Sequence, residues 1–485
     1  MIVQTWFIVI SIVYLGFSLL IGYLASRTIK DARDFWVAGG RLGWVVGGAT
    51  IAATQMSAGL FIGTIGLTYN VGWTFFWVVF CFPLSYWLMA WLIGPKFRRF
   101  GKYTLPDFIG ARYYGNLARI IAAVLIIPCF LVYIVAQLKA GGMILNVVYG
   151  FPEITGAVLF FLVIIIYTAV GGMIADAYTD LIQMIIMLIG AAVAVPLVLL
   201  NLGGISETFR IDTLIRPGLT DWGGIPIGML LGLFFAFFIG SFGRPEILTR
   251  FYAMKDERTI KRGILFVILL VGVTHLLCFI LAMSIRALTP NLPNPDIAMP
   301  ALAVYFLPGL VGSMLLAAII AAMMSTVDSI LLVASSAFAH DIYAQVINPN
   351  ATERKKLIVA EVGTFFVGGL SLLMYVAGFG SLTLVQLIVA LFSALVGSTF
   401  TSVVLLGCLW RRTTREGAVA GMIGGFVIAW IWHFAKSPLG LNPVIPGVIV
   451  SGLLTIGISL LTPFPPKEAL EPFFKSVRSS DSSAP

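Results

Sequence analysis

The segment Ala322-Met323-Met324-Ser325-Thr326-Val327-Asp328-Ser329 places three hydroxyls and one carboxylate inside an apolar run from Leu310 to Ala339. Positions 322, 325, 326 and 329 are separated by helical steps, so a helix here presents them on one face. Oxygen ligands gathered inside hydrocarbon suit a hard cation. The pattern indicates a candidate ion site with Asp328 at its edge. The alternative is that these hydroxyls only bond back to their own helix and let neighbouring helices approach.

The rest of the chain is typical of a membrane protein. It is 60% hydrophobic and 11% charged, with a mean hydropathy of +1.03. Apolar runs long enough to cross about 30 Å of hydrocarbon as helices recur along it. We therefore predict an all-α polytopic membrane protein with about 13 transmembrane helices, at residues 6–25, 44–66, 72–94, 120–147, 155–171, 180–200, 225–243, 263–285, 308–338, 358–378, 383–409, 417–435 and 444–462.

The net charge of +9 is explained by topology rather than by nucleic acid. Of the 30 Lys and Arg residues, 25, Arg244 and Arg250 among them, fall in alternate loops on one side of the predicted membrane. By the positive-inside rule that side is cytoplasmic. We expect a multi-pass protein of the cell (plasma or inner) membrane, with the N-terminus outside and the C-terminus cytoplasmic.

Several functional classes are excluded or disfavoured. The four cysteines, at positions 81, 129, 278 and 408, and the three histidines are scattered singly, which disfavours a metal cluster. No P-loop and no His-Glu-x-x-His helix occurs, so we expect no enzyme activity. A channel would need a repeated pore-lining filter, and the sequence shows no such repeat. A membrane sensor would need an output domain, and no pattern of one is present, so we expect neither class. The expected partners are the lipid bilayer, a small organic solute and an ion, with no nucleic acid and no obligate protein partner.

Two predicted spans are interrupted at corresponding positions. The span 44–66 contains Thr54-Gln55-Met56-Ser57-Ala58-Gly59, and the span 225–243 ends in Gly240-Ser241-Phe242-Gly243-Arg244-Pro245. Broken helices in matching positions of two halves mark the binding site of inverted-repeat transporters. Their exposed carbonyls suit a cation, and their half-helix N-termini suit an anionic group. The alternative for each segment alone is a packing glycine and a helix-ending proline.

Few other polar groups lie within the spans. Asp180 opens the sixth span, where a carboxylate is either functional or a simple helix cap. Gln137 and Lys139 lie in the fourth span. An intramembrane lysine should face a cavity or a carboxylate. Lys139 is therefore a candidate for holding a solute carboxylate, or for pairing structurally with Asp328 or Glu361.

From Trp6 to about Thr462 the chain resembles the sodium/solute symporter family. The resemblance rests on five motifs whose order and spacing match, namely Asp34-Phe35-Trp36-Val37-Ala38-Gly39-Gly40-Arg41, Ala53-Thr54-Gln55-Met56-Ser57, the stretch from Gly171-Gly172 to Gln183, the stretch from Phe242-Gly243 to Phe251, and Met324-Ser325-Thr326. The resemblance implies a five-plus-five inverted repeat typified by the bacterial leucine transporter.

That fold implies one transmembrane transporter domain over residues 1–462. Residues 1–43 would form an extra first helix and loop, 44–200 the first repeat, 225–409 the second repeat, and 417–462 two extra helices. Residues 463–485 are rich in Ser and Pro, and we expect a disordered cytoplasmic tail.

The resemblance also implies where ions bind. The main sodium site of the family maps onto the carbonyls of Ala53, Met56 and Ala322 and the hydroxyls of Ser325 and Thr326. A second cation site found in some members matches Asp180, Ser325 and Ser329. Asp328 stands there where several relatives carry a small neutral residue, which leaves open a second sodium, a titrating proton or an ion pair with Lys139.

For the solute, the resemblance points to the space between the two broken helices. The lining candidates are Gln55, Ser57, Trp73, Tyr133, Gln137, Lys139, Phe237 and Ser241. A pocket with a cation and few hydroxyl-binding groups favours a small carboxylate-bearing solute over a neutral sugar. The expected function is sodium-coupled symport of that solute by alternating access, with sodium as the coupling ion and no other cofactor. The alternative is a proton-coupled symporter of the same fold that uses Asp328 or Asp180.

Overall fold

The chain is helical throughout the part that can be described. The computed structural model describes residues 2–29, 32–168, 172–215 and 225–474. Within these ranges the only β-type pairing is one isolated bridge between Leu42 and Met254. The predicted all-α class is confirmed.

The apolar helices follow one another in the predicted order. Numbered along the chain, they are α1 (Ile2–Ser26), α2 (Trp44–Gln55), α3 (Gly59–Val71), α4 (Trp73–Leu92), α5 (Asn116–Tyr149), α6 (Glu153–Thr168), α7 (Gly172–Leu202), α8 (Ile227–Gly243), α9 (Pro245–Ala253), α10 (Glu257–Leu288), α11 (Gly309–Ile347), α12 (Glu353–Val376), α13 (Val385–Leu409), α14 (Arg415–Phe434) and α15 (Val444–Leu461). Shorter helices in the connections are Ala32–Val37, Gly94–Phe100, Leu105–Arg112, Ile205–Ile215, Pro295–Phe306 and Lys467–Phe474.

Each predicted span has a counterpart among these helices. In the described ranges, ten helices are long and apolar enough to cross a membrane, and two bent pairs raise that number to 12. The helix α6 is apolar but has only 16 residues. The last residues of its predicted span, 169–171, lie outside the described residues. The helix α11 extends beyond residue 338 to Ile347, with its last eleven residues in a π-helix.

The two bent pairs are the interrupted spans. The helices α2 and α3 meet at 49°, and α8 and α9 meet at 42°. At the first break Met56 leaves helical geometry, with φ −80° and ψ 60°, and the Gln137 side chain accepts a hydrogen bond from the Ala58 N–H at 3.0 Å. At the second break Arg244 is extended because Pro245 follows it. Pro245 then occupies the first turn of α9, where its missing N–H costs nothing.

Two helices form the centre of the molecule. The helix α11 packs against α1, α2, α5, α7 and α12, and α13 packs against α3, α5 and α8. The broken pair α2–α3 therefore has α11 on one side and α13 on the other. The helices α14 and α15 pack mainly on each other and contact α13 from outside.

The C-terminal region departs from the expected disorder. Residues Lys467–Phe474 form a helix, and the ring of Phe473 lies 5.1 Å from that of Phe100 and 5.2 Å from that of Phe108. Aromatic packing against the connection between α4 and α5 orders these residues, which the Ser- and Pro-rich composition did not reveal. Residues 475–485 of the predicted tail lie outside the described residues.

Candidate functional site

The five predicted main-site sodium ligands lie along one junction between α2 and α11. Ala53, Met56, Ala322, Ser325 and Thr326 are all fully buried. The Thr326 hydroxyl lies 3.0 Å from the carbonyl oxygen of Ala322 in its own helix and 3.2 Å from that of Thr54 across the junction. Because α2 ends at Gln55, the Met56 N–H still bonds the carbonyl of Ala52, but the carbonyls of Ala53, Thr54 and Gln55 receive no further donor from the helix. The junction therefore offers backbone and hydroxyl oxygens of the kind that a hard cation binds.

Ser325 is oriented by a carboxylate of α7. Its hydroxyl donates to one oxygen of Asp180, and Thr50 donates to the other oxygen of the same carboxylate. A serine hydroxyl has one proton and two lone pairs. The hydroxyl proton is used in the hydrogen bond to Asp180, so the oxygen lone pairs can face the junction. Asp180 thus orients one of the predicted main-site ligands, Ser325.

A buried arginine that sequence reasoning left unassigned lies beside Asp180. Arg250 of α9 has no exposed surface. Its Nη2 atom lies 2.8 Å from Asp176 Oδ2 and 3.5 Å from Asp180 Oδ2, and the same atom donates to Ser329. The predicted second cation site therefore already contains a permanent positive charge. Positive-inside counting placed Arg250 in a cytoplasmic loop, and the structure corrects that placement.

Asp328 lies apart from the other members of the predicted second site. It accepts a hydrogen bond from Thr168 of α6 and borders a small cavity together with Gly172 and Asp176. Asp180 and Ser329 instead face α2 and Arg250. Although Ser325 and Asp328 are only three residues apart on α11, their side chains contact different helices, α7 and α6 respectively.

Lys139 pairs with neither of the two acidic residues that the sequence suggested, Asp328 and Glu361. Its ammonium lies 3.8 Å from Asp296 and donates to three backbone carbonyls of the α12–α13 connection, those of Gly380, Ser381 and Thr383. Asp296 in turn accepts from the N–H of Val385 at the start of α13. Lys139 thus fastens α5 to the beginning of α13, and its charge and hydrogen-bonding capacity are used there.

A small buried cavity of about 30 Å³ lies between the two broken helices. It is lined by Gln55, Ser57, Gly59, Leu60, Thr64, Phe82, Tyr133, Phe237, Arg244, His275, Gln386 and Val389. All twelve residues are buried. Four of the eight predicted solute contacts, Gln55, Ser57, Tyr133 and Phe237, are among them.

The other four predicted contacts lie outside this lining. Gln137 supports the α2–α3 break, and Lys139 belongs to the Asp296 cluster. Ser241 donates to the carbonyl of Phe237 in its own helix at 2.7 Å. Trp73 packs its ring 6.4 Å from that of Trp77 at the start of α4.

Arg244 is the charged group of the cavity, and its side chain is 3% exposed. Its Nε atom lies 2.5 Å from Glu246 Oε1, and its Nη1 atom donates to the side-chain oxygen of Gln55. The guanidinium also lies 5.5 Å from the ring centre of Tyr133 and 5.4 Å from that of Phe392. Those two rings stack at 4.1 Å and fix the plane of the arginine. Arg244 is thus a buried cation with partners on several sides, and it forms part of the cavity wall.

Gln386 contributes an acceptor to the same cavity. Its Oε1 atom is buried and has no hydrogen-bond partner among the described residues. The side chain of Gln386 lies against Gly63, where an added Cβ would come within 2.6 Å of that oxygen. The glycine of α3 therefore permits the close approach of α13. A buried acceptor without a partner is costly unless a ligand or water supplies a donor.

The position of Arg244 at the second helix break is visible in the sequence. Arg244 lies within Gly240–Pro245, the second interrupted segment, but was counted among the cytoplasmic loop charges. A positive residue directly before the Pro of a broken helix is placed at the break itself. No comparable local signal marks Gln386, because its neighbours come from α3 and from the opposite broken pair.

Comparison with solved structures establishes the fold. A sodium-coupled sialic acid symporter, solved in a substrate-bound outward-open state, has a TM-score of 0.81 at 22% identity and covers 95% of this chain and 98% of its own. The nucleobase-cation-symport-1 transporter Mhp1 has a TM-score of 0.59 at 14% identity and covers 90% and 97%. These likenesses confirm the leucine-transporter fold with its two broken helices.

Sequence comparison gives the family. The model of the sodium:solute symporter family matches residues 35–425, and the chain belongs to that family. The high-affinity proline transporter PutP of Bacillus subtilis (strain 168) is 29% identical over 470 residues, covering 94% of this chain and 98% of its own. Sodium/proline symporter 2 of Staphylococcus saprophyticus is 28% identical and covers 95% and 94%. The protein is therefore a multi-pass membrane transporter, a sodium-coupled symporter and not an enzyme.

Proposed function

We propose that this protein imports a small carboxylate-bearing solute together with sodium, and that Arg244 receives the carboxylate. The observation that carries this proposal is the buried guanidinium of Arg244 at the α8–α9 break, facing the cavity. A planar guanidinium matches a carboxylate with two parallel hydrogen bonds. A neutral sugar would gain less from such a group than an anion does.

Arg244 takes the role that the sequence offered to Lys139. The Lys139 ammonium is held by Asp296 and by the carbonyls of residues 380, 381 and 383, away from the cavity lining. The expectation of a cationic pocket is kept, with a different residue as the cation. Glu246 balances the charge of Arg244 through its Nε side, so the solute carboxylate would approach from the other side of the guanidinium.

The cavity also limits the solute. At about 30 Å³ it is much smaller than the roughly 300–1,000 Å³ of a small-molecule site, so the helices that line it must move apart to admit even a small solute. The free oxygen of Gln386 favours a solute that also bears an N–H or O–H donor. Proline, which two relatives are named for transporting, has both a carboxylate and an N–H donor and is the first compound to test.

Sodium would bind at the α2–α11 junction through Ala53, Met56, Ala322, Ser325 and Thr326. Gln55 of the cavity lies between Ala53 and Met56 in sequence, so solute and ion share one short segment. Alternating access then needs only that both ligands favour the same state. Entry of one sodium across 100 mV contributes about 2.3 kcal/mol before its concentration gradient is counted.

Only one sodium would be transported in each cycle, because the predicted second cation site is already occupied by the charge of Arg250. Arg250 already supplies a positive charge next to Asp176, Asp180 and Ser329. A second sodium beside the guanidinium would be repelled at short range. The cytoplasmic C-terminus and external N-terminus remain part of this proposal, because the exposed basic residues of the alternate loops still favour one side after Arg244 and Arg250 are set aside.

The test is uptake of radiolabelled L-proline into proteoliposomes under an inward sodium gradient, with lactate, pyruvate and alanine as competitors. The informative variant is Arg244→Gln combined with Glu246→Gln, which removes both charges of the buried pair. We expect it to lose at least about a hundredfold in carboxylate uptake while sodium still raises its melting temperature. Arg210→Gln is the matched control, because Arg210 is 62% exposed on the connecting helix.

Three outcomes contradict parts of the proposal. Undiminished competition by carboxylates in the double variant would remove Arg244 from the binding role. Competition by neutral sugars alone would overturn the solute class. Uptake driven by a pH gradient without sodium would make the proton-coupled alternative correct, with Asp328 or Asp180 as the proton carrier.

A further inference from the structure

Gln55 occupies the position next to Arg244 that a carboxylate would take. Its side-chain oxygen accepts from Arg244 Nη1 and also from the Tyr86 hydroxyl, at 2.7 Å. Tyr86 is fully buried, so its hydroxyl has no access to bulk water as an alternative partner. Two convergent donors, one of them charged, are the arrangement that binds a carboxylate oxygen.

We infer that Gln55 is an internal stand-in for the solute's carboxylate, which displaces it on binding; this inference rests on the proposed function. A carboxylate forms stronger hydrogen bonds with a guanidinium than a neutral amide does. The incoming solute therefore replaces the Gln55 oxygen between Arg244 and Tyr86. The empty protein keeps both donors satisfied, which avoids the cost of leaving them buried without a partner.

Displacement of Gln55 has a direct path to the ion site. Gln55 is the last residue of α2 and directly precedes Met56, where the helix breaks. The carbonyls of Ala53 and Met56 flank it in the chain, and Thr326 of α11 lies 3.2 Å from the carbonyl oxygen of Thr54. When the solute releases the side chain, the segment that carries the proposed sodium ligands is no longer tied to Arg244. Gln55 is thus a positioning residue that links solute binding to sodium binding.

Two substitutions of Gln55 should change carboxylate affinity in opposite directions. Gln55→Ala removes the competing oxygen, so a carboxylate binds without displacing anything. Gln55→Glu supplies a permanent internal carboxylate that blocks the same donors. If Gln55 instead contacted the solute directly, the alanine variant would bind more weakly than the natural protein.

The experiment uses acetate as a minimal carboxylate and measures the melting temperature of the purified full chain at fixed ionic strength. Choline acetate replaces choline chloride at several sodium concentrations. We expect Gln55→Ala to reach half of its acetate-induced shift at about tenfold lower acetate than the natural protein. Gln55→Glu should show no acetate shift at any sodium concentration. Gln345→Ala, on an exposed glutamine, is the control and should behave as the natural protein.

The sodium dependence gives a second readout that a purely structural role would not move. In the natural protein, acetate should lower the sodium concentration for half-maximal stabilisation, because coupling between two ligands is reciprocal. In Gln55→Ala that effect of acetate should disappear. A coupling equal to that of the natural protein would overturn the inference.

The two proposals fail in distinguishable ways. Weaker acetate binding in Gln55→Ala, or no acetate shift in that variant, sinks the displacement model. An acetate shift that persists in Arg244→Gln/Glu246→Gln sinks the assignment of Arg244 instead. Comparing shifts rather than absolute melting temperatures separates both results from a general loss of stability.

Discussion

Arg244 and Arg250 lie six residues apart in the same broken helix, both are buried, and they have different surroundings. Arg250 contacts two carboxylates and two hydroxyls, with Asp176, Asp180, Thr50 and Ser329 around its guanidinium. Arg244 has one carboxylate on one side and a neutral amide, that of Gln55, on the other. The first arginine is saturated by fixed anions, whereas the second keeps a place that an anion from outside can take.

The contrast shows how a buried cation is assigned to structure or to binding. A charge within a membrane protein must be paired, so burial alone does not separate the two roles. The identity of the partners does. Two fixed carboxylates at Nη2 of Arg250, with a hydroxyl and a carbonyl at its other nitrogens, leave no place for a ligand. The exchangeable amide beside Arg244 does leave one.

The largest expected effect comes from removing the charge of Arg250, whose guanidinium is paired with fixed carboxylates. Arg250→Gln leaves Asp176 and Asp180 buried without their cation, and we expect it to cost about 3–5 kcal/mol of stability. Thermal unfolding in detergent measures the loss. Adding Asp176→Asn to the same variant should recover part of it, since one uncompensated charge is removed. An Arg250→Gln protein as stable as the natural one would show that the cluster is not an ion-pair network.

A smaller and more selective effect is expected where the Arg250 cluster meets the sodium junction. Ser325→Ala combined with Thr326→Ala removes two of the proposed sodium ligands, and we expect the sodium concentration for half-maximal uptake to rise at least about tenfold. Folding should be disturbed much less than this.

The same helix provides the control for that prediction. Ser335 and Ser336 of α11 donate only to carbonyls of their own helix, at 2.8 and 2.7 Å. Replacing both with Ala should leave the sodium dependence unchanged. An equal sodium dependence in the two double variants would return the Ser325 and Thr326 stripe to a packing role.

The smallest expected effect comes from displacing Gln386, which lines the same cavity as Arg244. Gly63→Ala puts a Cβ about 2.6 Å from the Gln386 oxygen and 2.8 Å from its backbone nitrogen, so Gln386 must move. We expect the KM for proline to rise severalfold, about the worth of one hydrogen bond, with unchanged sodium dependence. Gly16→Ala in α1 is the control, because no atom lies within 4 Å of its added Cβ. A changed sodium dependence with unchanged KM would place Gln386 outside the solute site.

Much of the fold was predictable from local patterns. Hydropathy marked a span for each helix or bent pair, and Gly and Pro marked both breaks, because backbone hydrogen bonding in hydrocarbon leaves few alternatives to a helix. The Ser325–Thr326 stripe was predictable for the same reason, since helical periodicity fixes which side chains share a face. The family resemblance drawn from those motifs is confirmed.

Partner assignments were predictable only in part. Lys139 was a candidate for holding a solute carboxylate or for pairing with Asp328 or Glu361, and it lies beside Asp296, a residue in the α10–α11 connection. Asp328 was grouped with Ser325 and turns toward α6. Both differences arise because an ion pair depends on which helices become neighbours, and the sequence carries no local record of that.

The sequence established on its own an all-helical membrane transporter with two broken helices and an oxygen-rich stripe beside the first. Those features follow from the period of the helix and from the cost of unpaired backbone groups in hydrocarbon, and both are local. Only the tertiary structure showed that Arg244 faces the cavity, that Arg250 is enclosed by carboxylates, and that Gln55 joins Arg244 to the proposed sodium segment. Those contacts join residues 70 to 189 positions apart, and packing of the whole bundle brings them together.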